Sequence, residues 1–188
     1  MRPDLRLLLL LLLPLSLFAT EQPLALEQIL IPGDQPQVLR FREEKQLQIL
    51  EHTLTTSGRL RFIPPDTLIR EEDGEPRMSY RMQGDRVSVH QGAQQLRQLD
   101  LASAPELAGF ATSLRALLAG DREALQQQFE IQLSGGQDAW RLELTPKSER
   151  LSQILERLIL RGDRDGIRTV ETLERGGNRS RMEFIPDE

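Results

Sequence analysis

Residues 58–70 read GRLRFIPPDTLIR. Leu60 and Phe62 alternate with Arg59 and Arg61, the period-two pattern of a strand with one apolar and one solvated face. Pro64 and Pro65 break that pattern, because a proline has no N–H to give to a sheet ladder. Asp66 completes a turn signal, and residues 67–71 resume as a second strand. Two readings of the paired prolines follow. They close a tight inter-strand turn, or they stand at a sheet margin and leave it open along an edge.

The same punctuation recurs along the chain. Turn signals fall at Thr55-Thr56-Ser57-Gly58, Gly84-Asp85, Gly135-Gly136, Asp165-Gly166 and Gly176-Gly177-Asn178, with β-rich or alternating runs between them from Val38 onward. Such even spacing predicts an antiparallel meander. Trp140, Leu142 and Leu144 alternate with Arg141 and Glu143, and Met182 and Phe184 with Arg181 and Glu183. One sheet face is therefore solvated, and the other has to be covered.

The middle of the chain supplies a cover. Ser103-Ala104-Pro105-Glu106 fits a capping box, with the proline harmless in the first turn. Leu107, Phe110, Ala111, Leu114, Leu117 and Leu118 then fall on one helical stripe that Gly120 ends. Asp121 caps a second short helix running to about Gln126, after which Phe129, Ile131 and Leu133 return to strand alternation. A short helix is also expected over residues 24–31, where Leu26, Ile29 and Leu30 have helical spacing and Pro32-Gly33 stops it. Helix, strands, helices and strands without a βαβ rhythm define an α+β fold, a curved antiparallel sheet enclosing a few helices.

Arg2 and Arg6 precede a run from Leu7 to Phe18 that is apolar apart from Ser16, and Ala19 offers a small residue for cleavage. This reads as a secretory signal peptide over residues 1–19, followed by a single domain over residues 20–188. The run is short of the roughly 20 residues that span a bilayer, and Pro14 interrupts it. With no cysteine, the chain has neither disulfides nor a lipidated cysteine, so a protein exported and not lipidated is expected. Cleavage would shift the formal charge from -5 to -6, and an acidic surface disfavours nucleic acid and anionic membranes as partners. A monomer is expected from the even surface pattern.

Catalysis finds little support. His52 and His90 are the only histidines, and neither is accompanied by a serine elbow or by metal-ligand spacing. Glu43-Glu44 and Glu71-Glu72-Asp73 are carboxylate runs, but neighbours in a strand point to opposite faces, so they read as solvated charge. Asn178-Arg179-Ser180 fits a glycosylation acceptor yet lies in a glycine-rich hairpin, where turn chemistry explains it. No enzyme, cofactor or metal is expected.

The order of features resembles the LolA family of periplasmic outer-membrane lipoprotein carriers. An N-terminal helix is followed by SGRLRFIPPDTLIR in place of that family's Gly-x-Leu…Pro-x-x-Phe stretch, then by a helical pair, WRLELTPK from Trp140 to Lys147, and GDRDGIRTVETLERGGNRSRMEF. The resemblance covers nearly the whole mature chain and is nearest to a LolA-related subgroup associated with envelope glycolipid or pigment-lipid pathways. It implies an unclosed antiparallel β-barrel with helices forming a lid over an apolar cavity that holds acyl chains. It also implies an acylated cargo, an inner-membrane exporter and an outer-membrane acceptor. In place of the arginine that precedes the turn proline in those carriers stands Pro64.

Such a carrier would line its cavity with mostly aliphatic side chains. Leu60, Phe62, Leu68, Tyr80, Met82, Val87, Val89, Trp140, Leu142 and Leu144 are the candidates from the sheet, and Phe110, Leu114, Leu117 and Leu118 those from the lid. Two alternatives stand beside this reading. The same residues can pack on one another as an ordinary core, and a related fold also serves in a periplasmic sensory or protein-interaction module of envelope-stress signalling.

Overall fold

The computed structural model describes residues 24–29, 36–103, 116–117 and 119–185. The expected signal peptide and most of the expected lid helix, including Phe110, Leu114 and Leu118, lie outside these residues.

Eleven antiparallel strands form one sheet. They are β1 (Gln37–Gln46), β2 (Leu54–Ile63), β3 (Thr67–Glu72), β4 (Met78–Gln83), β5 (Arg86–Gln91), β6 (Gln94–Asp100), β7 (Phe129–Gly136), β8 (Ala139–Pro146), β9 (Leu155–Asp163), β10 (Gly166–Glu174) and β11 (Arg179–Ile185). Among the described residues, short α-helices with defined bounds are α1 (Leu26–Ile29), α2 (Arg122–Gln128) and α3 (Glu149–Ser152). The spatial order is β6-β5-β4-β3-β2-β1-β11-β10-β9-β8-β7. Two meanders thus stand side by side, joined where the first strand pairs with the last. The sheet's two edges, β6 and β7, are consecutive strands in the chain.

The proline pair sits in the turn between β2 and β3, which pair from Gly58↔Glu72 to Ile63↔Thr67. Both strands lie inside the sheet. The tight-turn reading is therefore right and the open-margin reading is wrong: a turn needs no ladder donor, so prolines tolerate this place without marking an edge.

Alternation sorts the side chains as expected. In β8 Trp140, Leu142 and Leu144 are buried while Arg141 and Glu143 are partly exposed. The largest buried cluster joins them to Leu26 and Ile29 of α1, Ala116, Leu117, Leu125, Phe129, Leu151, Leu155, Leu158 and Leu160. Asp121 caps α2, its carboxylate accepting from the Ala124 N–H, and the helix runs two residues beyond its expected end, directly into β7. Ser148 caps α3 in the same way, accepting from the Leu151 N–H. Trp140 is anchored from behind. Its indole N–H donates to the Asp163 carbonyl oxygen at 2.9 Å, and Gly162 provides the room, since a Cβ there would fall 2.3 Å from the ring.

The outer face is an ion-pair ladder. Arg161 and Arg181 both lie 2.7 Å from one Glu171 oxygen, Arg181 also meets Glu183, and Glu143 is held between Arg141 and Arg157. Arg157 donates to Glu143 and holds its carboxyl below the usual carboxylate range, against the opposing effect of burial.

Candidate functional site

The cross-strand register places Phe62, Leu68, Met82 and Val87 in one row over β2 to β5, and Leu60, Arg70, Tyr80 and Val89 in the next. Phe62, Leu68 and Met82 are buried together with Leu101, and Leu60, Val87 and Ala119 pack against them. Tyr80 and Val89 are half-buried at the margin of this patch. Burial and the Glu72 carboxylate push the Tyr80 hydroxyl above its ordinary pKa, with Arg70 opposing.

Of the fourteen predicted lining residues, the eleven that the structure describes fall into separate places. Leu60, Phe62, Leu68, Met82 and Val87 share the smaller cluster, under β2 to β5. Trp140, Leu142, Leu144 and Leu117 belong to the larger one, on the opposite half of the sheet, already packed against α1, α2 and α3. Those four are buried members of that cluster.

Between the two halves lies a polar cluster that the sequence reading missed. Glu43 in β1 is 4% exposed. Its carboxylate stands 2.7 Å from the Arg70 guanidinium and 3.5 Å from Lys45, while Arg70 also meets Glu72 at 2.9 Å. The same guanidinium lies over the Phe41 ring, 4.5 Å from its centre, a cation–π contact. Arg70 stands on β3 and its partners Glu43 and Phe41 on β1, so its side chain has to pass over β2. It does so beside Gly58, the residue that faces both Phe41 and Glu72 in the register. A Cβ on Gly58 would fall 1.9 Å from the Glu71 carbonyl oxygen, so this position carries no side chain.

The carboxylate runs need a corresponding correction. Glu44 is exposed as expected, but Glu43 is buried and Glu72 partly buried. The signal for this was parity. Glu43 is two residues from Phe41, and Arg70 and Glu72 continue the inward alternation that begins at Leu68.

Nothing in these clusters has the geometry of a catalytic or metal centre. His52 is exposed and His90 half-buried, and no group of three or more metal-ligating side chains gathers among the described residues. Asn178 does serve the turn: its side-chain amide donates to Glu174, and its oxygen accepts from the Gln48 N–H. A hollow of about 380 Å³ opens elsewhere, lined by Glu44, Arg157, Ile159, Glu171, Arg179 and Arg181 among others. It contains none of the predicted lining residues. No helix among the described residues is long and apolar enough to cross a membrane.

A large antiparallel sheet that curves without closing, accompanied by short helices, is the fold of a LolA-like protein. The chain belongs to the family described as outer membrane lipoprotein carrier protein LolA-like, which matches residues 21–184. Among solved structures it is similar to a LolA superfamily protein from Nitrosomonas europaea, with 10% identity and a TM-score of 0.43, over 86% of this chain and 90% of that one. A DUF1329 family protein from Desulfovibrio piger gives 14% identity and a TM-score of 0.45, over 81% and 85%. No curated protein matches the chain.

Proposed function

We propose that this protein is a periplasmic carrier that shelters the acyl chains of a lipoprotein, or of a related glycolipid or pigment lipid, between the inner and outer membranes. One observation carries the reading furthest: the buried patch of Phe62, Leu68, Met82 and Leu101, with Leu60 and Val87 beside it. It lies under the half of the sheet remote from the larger cluster. An acyl chain laid on such a surface gains about 0.8 kcal/mol for each methylene it buries. Met82 suits varied cargo, because a thioether adapts its shape. The family supports the reading, since its description is that of a lipoprotein carrier. Cleavage of residues 1–19 on export, binding as a monomer, and handover from an exporter to an acceptor belong to the same proposal. The protein acts without catalysis.

A second reading is favoured by the other half. Trp140, Leu142, Leu144 and Leu117 are packed into a continuous core, as they would be in an interaction module whose apolar face holds no cargo.

Native mass spectrometry of the protein recovered gently from its periplasm, followed by lipid extraction, separates the two. A bound acylated species in one-to-one ratio supports the carrier and names the cargo. A protein that arrives empty and refuses acyl probes leaves the interaction module.

A further inference from the structure

The loop between β1 and β2 ties Gln48 to a neighbouring turn and leaves Ile49 in water. Residues 46–50, Gln-Leu-Gln-Ile-Leu, are uncharged in a chain with 28% charged residues. A turn forms here, the Leu50 N–H donating to the Leu47 carbonyl oxygen at 2.9 Å. Within it Gln48 is tied to the neighbouring turn between β10 and β11. Its backbone N–H donates to Asn178 Oδ1 at 3.0 Å, and its side-chain amide donates to the Gly177 carbonyl oxygen at 3.0 Å. Gly177 has φ +83, and a Cβ there would press on the Gln48 side chain at 3.1 Å, so the two turns fit each other through a residue that only glycine suits. The outcome is that Ile49 stands out 89% exposed, with Leu50 next to it at 36% and Leu54, at the start of β2, at 37%. Two anchored hydrogen bonds hold the loop in the arrangement that leaves Ile49 in water.

We infer that this loop is a membrane-touching tip that takes the surface of a zwitterionic lipid bilayer. A bilayer receives an exposed aliphatic side chain such as Ile49 without having to supply a fitted pocket. Residues 46–50 carry no charge, Glu51 follows them in the same loop, and the whole chain is at -5, so an anionic surface would repel it. Insertion of two or three aliphatic side chains gives a weak, reversible contact, as a single short acyl anchor does. A carrier has to meet membranes and leave them again. To that extent the inference rests on the carrier reading, although the loop geometry stands without it.

The test uses the mature chain, residues 20–188, and sedimentation with vesicles of phosphatidylcholine and phosphatidylethanolamine, beside vesicles enriched in phosphatidylglycerol. Uptake of the apolar dye N-phenyl-1-naphthylamine is measured in parallel. Ile49→Asp should weaken partitioning onto the zwitterionic vesicles by about tenfold while leaving dye uptake unchanged. Ile49→Trp should strengthen partitioning and shift its emission to the blue when vesicles are added, since tryptophan favours the interface. Partitioning that is absent in the wild type, or the same in wild type and Ile49→Asp, overturns the inference. So does a preference for phosphatidylglycerol, or an Ile49→Trp emission that vesicles leave unmoved. Failed dye uptake with intact, Ile49-dependent partitioning would sink the carrier reading and leave the membrane-touching tip standing.

Discussion

Arg70 and Glu43 meet at 2.7 Å across an intervening strand, on the inner face of the sheet. Their side chains are 17% and 5% exposed, so neither charge is well solvated, and removing one strands the other. Arg70→Met should destabilise the protein by about 3 kcal/mol, the low end of such losses because Lys45 remains near Glu43. Adding Glu43→Leu should restore much of this, and chemical denaturation of the two singles and the double would measure the coupling. Additive losses would show that the pair does not act as one unit.

Tyr80 is the only tyrosine in the chain, so its ionisation can be followed by ultraviolet absorbance without interference. Burial and Glu72 raise its pKa above 10.0, and Arg70 lowers it. The tyrosinate midpoint should lie above 10.0 in the folded protein and move higher still in Arg70→Met. The sign for stability follows. An unfolded chain loses this proton at a lower pH than the folded one, so Tyr80's contribution is fully present below pH 10.0 and is lost as the pH rises through the folded value. A midpoint at or below 10.0 would contradict the packing described.

Trp140 is likewise the only tryptophan. Gly162→Ala would thrust a methyl group toward its ring and to within 2.1 Å of the Gly166 carbonyl oxygen. The expected cost is about 1–3 kcal/mol, with a red shift in native emission as the indole is pushed from its site. Thermal unfolding followed by fluorescence reads both.

Glu143 gives the acid side of the stability curve. The hydrogen bond from Arg157 is the main cause that holds its carboxyl below 4.5, so its contribution is present above pH 4.5 and lost as the pH falls through the lower folded value. Arg157→Met should therefore be less stable than wild type at pH 7, and the gap should narrow as the pH drops below 4.5. Denaturant midpoints at several pH values test this. A gap that stays constant would mean that Arg157 acts through packing alone.

Much of the sheet was legible because alternation is a local property. Arg59-Leu60-Arg61-Phe62 and Trp140-Arg141-Leu142-Glu143-Leu144 declare their inner and outer faces within five residues. Asp121 announced the helix it caps for the same reason. The candidate site was less legible, since Glu43 and Arg70 are 27 positions apart and meet only because β1, β2 and β3 lie side by side with Gly58 between them. Partition of the apolar residues was hidden too. Leu142 and Leu68 look alike in sequence, and only the order of strands places one in a core packed against helices and the other in the separate patch.

The ladder between β1 and β11, running from Arg40↔Ile185 to Gln46↔Arg179, is the one strand pairing that joins residues far apart in sequence. Every other pairing links strands that follow one another. Loop closure over such a span is slow compared with forming hairpins. As the chain emerges from its N-terminus, β1 to β6 can form a meander early, but β1 remains an unpaired edge until the final strand has been made. The opening part of the molecule is thus exposed to mispairing for nearly the whole of its synthesis or passage. Lys45 and the exposed Arg40, Arg42 and Glu44 along β1 are the charges that would guard that edge while it waits.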